Sequence, residues 1–268
     1  MTIELEVNIL KICFIGDIVA APGRRVLNRQ LPAFLRDNNI DFCLINAENS
    51  VHGLGVSPKV LDELFRLGVD AVTLGNHTFS YRDFLSQAGK YKNVVVPANV
   101  SCKWPGSKFT MIEKNGFKLA VFNLMGQVDM GMYSDSPFEK ANELLSEIGK
   151  ECPNAIFLDF HAEATSEKQA MGYFLDGRVS VVAGTHTHVQ TADDRILPQG
   201  TGYITDVGMT GCQDSIIGMD IDTSLTRFVE KVPAKYMPAE GEASMCGIIC
   251  EVDYNGKCNS ISRFCIYE

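Results

Sequence analysis

Basic residues are in short supply: 24 Lys and Arg stand against 33 Asp and Glu, for a formal charge of -9. That surplus of negative charge keeps a chain soluble but gives no broad attraction for a polyanion, so long nucleic acid is not an expected partner. A phosphate-bearing ligand must be held locally, by metal ions, helix N-termini or a few well-placed donors. Long hydrophobic runs are also missing. No apolar stretch approaches the ~20 residues that span a bilayer, and the N-terminus lacks a charged leader before an apolar signal core, so no membrane partner and a cytoplasmic location are expected. The nine Cys are scattered, and an odd count without close paired spacing argues against both a disulfide framework and a structural zinc site. Cys246 and Cys250, the nearest pair, read as positions on a buried strand. No linker, low-complexity tract or short repeat divides the 268 residues, and one domain over residues 1–268 is expected.

What is present is a series of apolar runs that each end in polar residues. Ile9 to Ile15 reads as a strand buried on both faces and ends at Gly16-Asp17. Val26, Leu27, Phe34 and Leu35 then give a helical face, which Pro32 should kink or divide. Phe42 to Ala47 is a second strand, ending at Glu48-Asn49, and Ser57-Pro58 caps a helix closed by Gly68. Ala71 to Leu74 leads to Gly75-Asn76-His77, and Val94 to Val96 is a short strand. Asn115-Gly116 between two strands is a hairpin signal, so part of the chain is antiparallel. Ser136-Pro137-Phe138-Glu139 opens a helix through Ile148. Ala155 to Phe160 ends at His161, a helix lies near Glu167 to Phe174, and Val179 to Ala183 ends in Gly184-Thr185-His186-Thr187-His188. Gly247 to Val252 and Ser260 to Tyr267 flank a turn at Asn255-Gly256. Strands alternating with helices, plus an antiparallel portion, indicate mixed α/β sheets.

Asp17, Glu48, Asn49, Asn76, His77, His161, His186 and His188 therefore all fall at strand ends, where open α/β sheets bind ligands. Only five His occur in the chain, and four are in these positions. Carboxylate, amide oxygen and imidazole without thiolate suit Mn, Fe or Zn better than an all-oxygen Mg or Ca cage. Glu48 could bridge two ions, which would acidify a shared water and neutralise charge developing on a phosphoryl group. His186 and His188 point the same way on a strand, whereas a turn would aim them at neighbouring ions. His77 suits a different task, protonation of the departing oxygen.

Each residue also has a plainer reading. Asp17 could cap the following helix, Glu48 could be a solvated loop residue, and Asn76 could serve a turn. His77 could orient a ligand, and Asp159 and Glu163 share the face of His161 by strand period. His52 reads as an exposed loop histidine rather than a substrate contact. Apolar residues of Ser215 to Ile221 read as core rather than as the lining of a base pocket, and Arg24 and Arg25 as solvated helix charges.

Through Gly16-Asp17, Glu48-Asn49, Gly75-Asn76-His77, His161 and Gly184-Thr185-His186-Thr187-His188, the sequence resembles the calcineurin-like metallophosphoesterases. It is most similar to their YmdB-like bacterial branch, a likeness that Thr205-Asp206-Val207-Gly208-Met209 continues. Val19 stands where the wider superfamily has a histidine. The resemblance implies a four-layer αββα sandwich, iron or manganese as cofactor, and phosphodiesterase activity on a 2′,3′- or 3′,5′-cyclic nucleotide. It also implies Asp17, Glu48, Asn49 and His188 on one ion, and Glu48, Asn76, His161 and His186 on the other, with His77 as general acid. A phosphomonoesterase, or a metal-stabilised regulatory protein with incidental hydrolysis, would carry the same residues. The sequence leaves open whether the chain forms a homo-oligomer.

Overall fold

The computed structural model describes residues 9–268, and the expectation about an N-terminal leader falls partly on residues 1–8, outside the described residues. The first apolar run forms β1 (Leu10–Ile15). Leu10, Ile12 and Phe14 pack to one side and Cys13 and Ile15 to the other. After Gly16 come the two-residue β2 (Asp17–Ile18) and α1 (Ala20–Asp37). Pro32, expected to kink or divide this segment, sits inside an uninterrupted helix. The carbonyl that loses its donor belongs to Asn28, which is exposed, so water can take the donor's place.

β3 (Phe42–Asn46), α2 (Pro58–Arg66), β4 (Ala71–Thr73), α3 (Arg82–Gln87) and β5 (Val94–Val95) continue the βα alternation. Ser57 caps α2 by accepting from the Val60 N–H, and Gly68 follows its end with φ +99°. The expected hairpin forms from β6 (Phe109–Lys114) and β7 (Phe117–Met125). Its turn residues Asn115 and Gly116 have φ of 51° and 79°, the left-handed pair that a type I′ turn needs. α4 (Pro137–Ile148) starts from its Ser136 cap, and β8 (Ala155–His161), α5 (Thr165–Leu175) and β9 (Val181–Thr185) follow. β10 (Arg195–Ile196), β11 (Gly202–Ile204), β12 (Met209–Cys212) and α6 (Ile221–Phe228) have no counterpart in the sequence reading. β13 (Ala243–Val252) and β14 (Cys258–Tyr267) close the chain, and Cys246 and Cys250 lie buried on β13.

One sheet has the order β2-β12-β13-β1-β3-β4-β5 with β14 beside β13; the other has the order β10-β11-β9-β8-β7-β6. Between them Phe14, Phe42 and Leu44 meet Leu119, Val121, Phe157 and Val181. Phe14 and Phe157 pack edge to face across the gap with centroids 4.9 Å apart. Val26, Leu27, Leu31, Leu61, Leu64 and Phe84 cover the outer face of the first sheet. Ala141, Leu144, Ile148, Met171 and Leu175 cover the outer face of the second. The layers are thus αββα, as expected. Among the described residues no helix is long and apolar enough to cross a membrane.

Candidate metal centre

The two sheets bring their carboxyl ends together at one place. Asp17 follows β1, Glu48 and Asn49 follow β3, and Asn76 and His77 follow β4; these belong to the first sheet. From the second sheet come His161, the last residue of β8, and His186 and His188 just beyond β9. Glycines let the backbones approach here: a Cβ at Gly16 would overlap the Gly208 carbonyl, and one at Gly184 would overlap that of Thr205.

At the centre is Nε2 of His161. It lies 2.9 Å from Glu48 Oε1, 2.9 Å from Asn76 Oδ1 and 3.0 Å from His186 Nδ1. One N–H can serve only one of those contacts fully, whereas a cation seated among the four atoms could draw on all of them. Glu48, His161 and His186 each offer a ligand atom within 4.8 Å of the others. The donor set fits a metal ion, and its chemistry is the mixed oxygen and imidazole type that suits Mn, Fe or Zn.

The tautomer of His161 is set from behind. Thr185 Oγ1 donates its only proton to Asp159 Oδ1 at 2.7 Å, so it accepts from His161 Nδ1 at 2.8 Å and leaves Nε2 facing the cluster. Asp159 is itself fully buried and accepts from Asn46 at 2.9 Å and from Thr73, both on the first sheet. Its pKa is raised by that burial. The strand period places Asp159 on the face of His161, but the link through Thr185 joins two strands, and no local pattern in the sequence records it.

The electrostatics ask for positive charge at this point. Burial pushes the Asp17 carboxyl up to about 6. Burial opposes ionisation of Glu48 too, but His161 and His77 outweigh it and hold that carboxyl down to about 2. For His161, burial alone would lower the pKa, yet Glu48, Asp17 and Asp159 raise it to about 9. His186, desolvated and beside His161, is pushed down to about 3 and stays neutral, its Nε2 3.3 Å from Glu163.

A second group lies alongside. Asp17 Oδ1 and Asn49 Oδ1 are buried and have no hydrogen-bond partner among the described residues, a costly arrangement that a cation would relieve. Asp17 Oδ2 accepts from the His186 N–H at 3.2 Å. His188 Nδ1 contacts the Ile217 carbonyl at 2.8 Å as donor, which turns Nε2 into the free nitrogen. Val19 is buried against Gly211 and Gly218, so apolar packing fills its surroundings.

His186 and His188 lie in a turn, not on the strand, and both have left-handed backbone, φ 98° and 66°. That strained geometry needs support. Asp206, fully buried, accepts from the Thr187 N–H at 3.1 Å and from its hydroxyl at 2.8 Å, and pairs with the buried Lys168 at 2.7 Å. Asp206 appeared in the sequence only as part of a family block, and Lys168 gave no signal at all. His77 donates its N–H to Glu48 Oε2 at 3.1 Å, and burial lowers its imidazole pKa.

A cavity of about 540 Å³ opens beside Glu48, Asn49, His77, His186 and His188. Ile216, Ile217 and Met219 line it, and Ile217 is 49% exposed, which corrects their assignment to the core. The glycine-bearing turn before α6 holds them at the surface instead, with Ile217 and Gly218 both left-handed. His52 is exposed, as expected, and also lines the cavity. Arg24 and Arg25, read as solvated charges, are tied down: Arg24 donates to the Ser50 carbonyl and Arg25 pairs with Glu268 at 2.9 Å.

Known proteins are similar to this chain in sequence and in fold. A 2′,3′-cyclic-nucleotide 2′-phosphodiesterase of Bacillus subtilis is 46% identical over 244 residues, covering 91% of this chain and 92% of its own. A crystal structure described as a novel phosphatase from Mycoplasma pneumoniae superposes with a TM-score of 0.92 at 34% identity, over 98% of this chain and 95% of that one. A 5′-nucleotidase structure from Staphylococcus aureus shares the fold, with a TM-score of 0.60 at 14% identity over 97% of this chain and 55% of that one. The sequence profile of the YmdB-like protein family matches residues 13–264. With strand-end chemistry, layer order and near-full-length relatives in agreement, the chain belongs to the YmdB-like family and is a hydrolase of the calcineurin-like metallophosphoesterase type.

Proposed function

We propose that this one-domain protein is a cytoplasmic, metal-dependent phosphodiesterase of small phosphodiesters, with 2′,3′-cyclic nucleotides as the favoured substrates and 3′,5′-cyclic nucleotides as the alternative. The observation that carries the reading is the convergence of Glu48, Asn76 and His186 on a single nitrogen of His161, beside two orphaned buried oxygens. The relative in Bacillus subtilis supports the diester and the 2′,3′ ring.

Asp17, Glu48, Asn49 and His188 would hold one ion, and Glu48, Asn76, His161 and His186 the other. When bound, the pair supplies charge neutralisation and an acidified water, with iron or manganese as the proposed metals. The protein's own residues do the rest. Asp159 and Thr185 fix the ring of His161, and Asp206 fixes the turn carrying His186 and His188. His77, beside the ligand Asn76 and facing the cavity, gives a proton to the departing oxygen. Its low basicity makes it a strong acid once protonated, and its N–H to Glu48 holds it in place.

Metal analysis of anaerobically purified protein, joined to a panel of cyclic nucleotides, a bis-aryl phosphate and an aryl monophosphate, tests the proposal. Roughly two ions per chain and faster turnover of diesters are expected. Preference for the monophosphate would make the enzyme a phosphomonoesterase, and turnover unchanged in Asp17→Asn would remove the metal centre from the reaction.

A further inference from the structure

The cavity beside the metal centre is polar on one side and apolar on the other. Leu54, Ile216, Ile217, Met219, Phe228 and Tyr236 form the apolar side. Several are open to solvent, Phe228 at 66% and Tyr236 at 44%. Large apolar side chains gathered uncovered around one cavity mark a surface kept for a ligand. Tyr236 is held from one side: the guanidinium carbon of Arg227 lies 4.1 Å from its ring centroid, and Arg227 is itself anchored to the Ala234 carbonyl at 2.7 Å. One ring face is thus held against a cation, which braces the ring at the edge of the cavity.

Ser224 supplies an independent observation. It lies on α6, is completely buried, lines the same cavity, and its hydroxyl has no hydrogen-bond partner among the described residues. An unpaired buried hydroxyl destabilises a fold, and alanine would be the better residue there for the helix as well. A group retained against stability points to a use.

We propose that this cavity is the nucleobase subsite of the enzyme: the base of a cyclic nucleotide stacks against Phe228 and Tyr236, Ser224 hydrogen-bonds its edge, and the phosphate lies toward Glu48, His77 and His186. The proposal rests on the phosphodiesterase reading. Its volume of about 540 Å³ suits a mononucleotide, and its two sides match the two ends of one. Stacking accepts every base, so Phe228 and Tyr236 give affinity while the Ser224 hydroxyl contributes discrimination between bases.

The test compares wild type with Phe228→Ala, Tyr236→Ala and Ser224→Ala on the four 2′,3′-cyclic nucleotides and on ribose 2′,3′-cyclic phosphate, which lacks a base. For wild type, kcat/KM should favour nucleotides over the baseless ring. In Phe228→Ala and Tyr236→Ala the ratio should fall roughly tenfold, through KM. Ser224→Ala should flatten the ranking of the four bases while its Tm stays equal or rises. Equal kcat/KM for nucleotide and baseless ring in wild type, or an unchanged ratio in both aromatic variants, overturns the subsite. An unchanged base ranking in Ser224→Ala removes Ser224 from it. If wild type cleaves no cyclic substrate but does cleave an aryl monophosphate, the phosphodiesterase reading itself fails.

Discussion

Thr185 stands between His161 and Asp159, accepting from the first at 2.8 Å and donating to the second at 2.7 Å. A hydroxyl used in both directions leaves the imidazole one tautomer and one orientation. Thr185→Val keeps the shape and removes both bonds. Metal affinity should fall about 10- to 100-fold, measured by competition with a chelator, and Thr185→Ser should restore it. Unchanged affinity in the valine variant would remove Thr185 from the site.

Gly75 precedes Asn76, and a Cβ there would strike both Glu48 Oε2 and His161 Nε2. Its backbone is not in the left-handed region, so alanine is allowed conformationally and the clash falls on the cluster alone. Gly75→Ala should give a folded protein, judged by far-UV circular dichroism, that retains less metal than wild type. Full loading would mean that the cluster tolerates a displacement of Glu48.

His77→Gln should keep its metals and lose about 10²- to 10⁴-fold in kcat on a cyclic nucleotide, whose alkoxide leaving group needs a proton. On a nitrophenyl ester the loss should be much smaller, because nitrophenolate leaves unaided. Equal losses on both substrates would point to positioning rather than proton transfer.

Lys168 and Asp206 form a buried pair at 2.7 Å, with the two side chains 1% and 0% exposed. Lys168→Met leaves a carboxylate unpaired in the interior, which should cost about 3–5 kcal/mol in urea denaturation. Because Asp206 also holds Thr187, metal retention should drop in the variant even at temperatures where it remains folded. Normal retention would separate the ion pair from the turn.

β1, β3, β4, β8 and β9 were legible because burial on both faces writes a largely apolar run, interrupted only by single residues such as Lys11 and Asp159, and polar residues close each run. The helices that Ser57 and Ser136 cap were legible for local reasons of the same kind. β10, β11 and β12 are about as short as β4 and β5 but are broken by Arg195, Gly202 and Gly211, so no apolar run marks them. α6 hides for another reason: its apolar side chains Leu225 and Phe228 are exposed, so they line no core stripe. Asp159 pairs with residues 113 and 86 positions away, and no local pattern records such partners.

The proposed ligands divide between the sheets, with Asp17, Glu48, Asn49 and Asn76 from the first and His161, His186 and His188 from the second. The first sheet, moreover, is unfinished until β13 returns to lie between β1 and β12. A nascent chain that has reached His188 holds every proposed ligand but not the strands β12 and β13 that complete the first sheet. Metal retention would then depend on the last strands being in place, and chains truncated before β13 should fail to hold the ions.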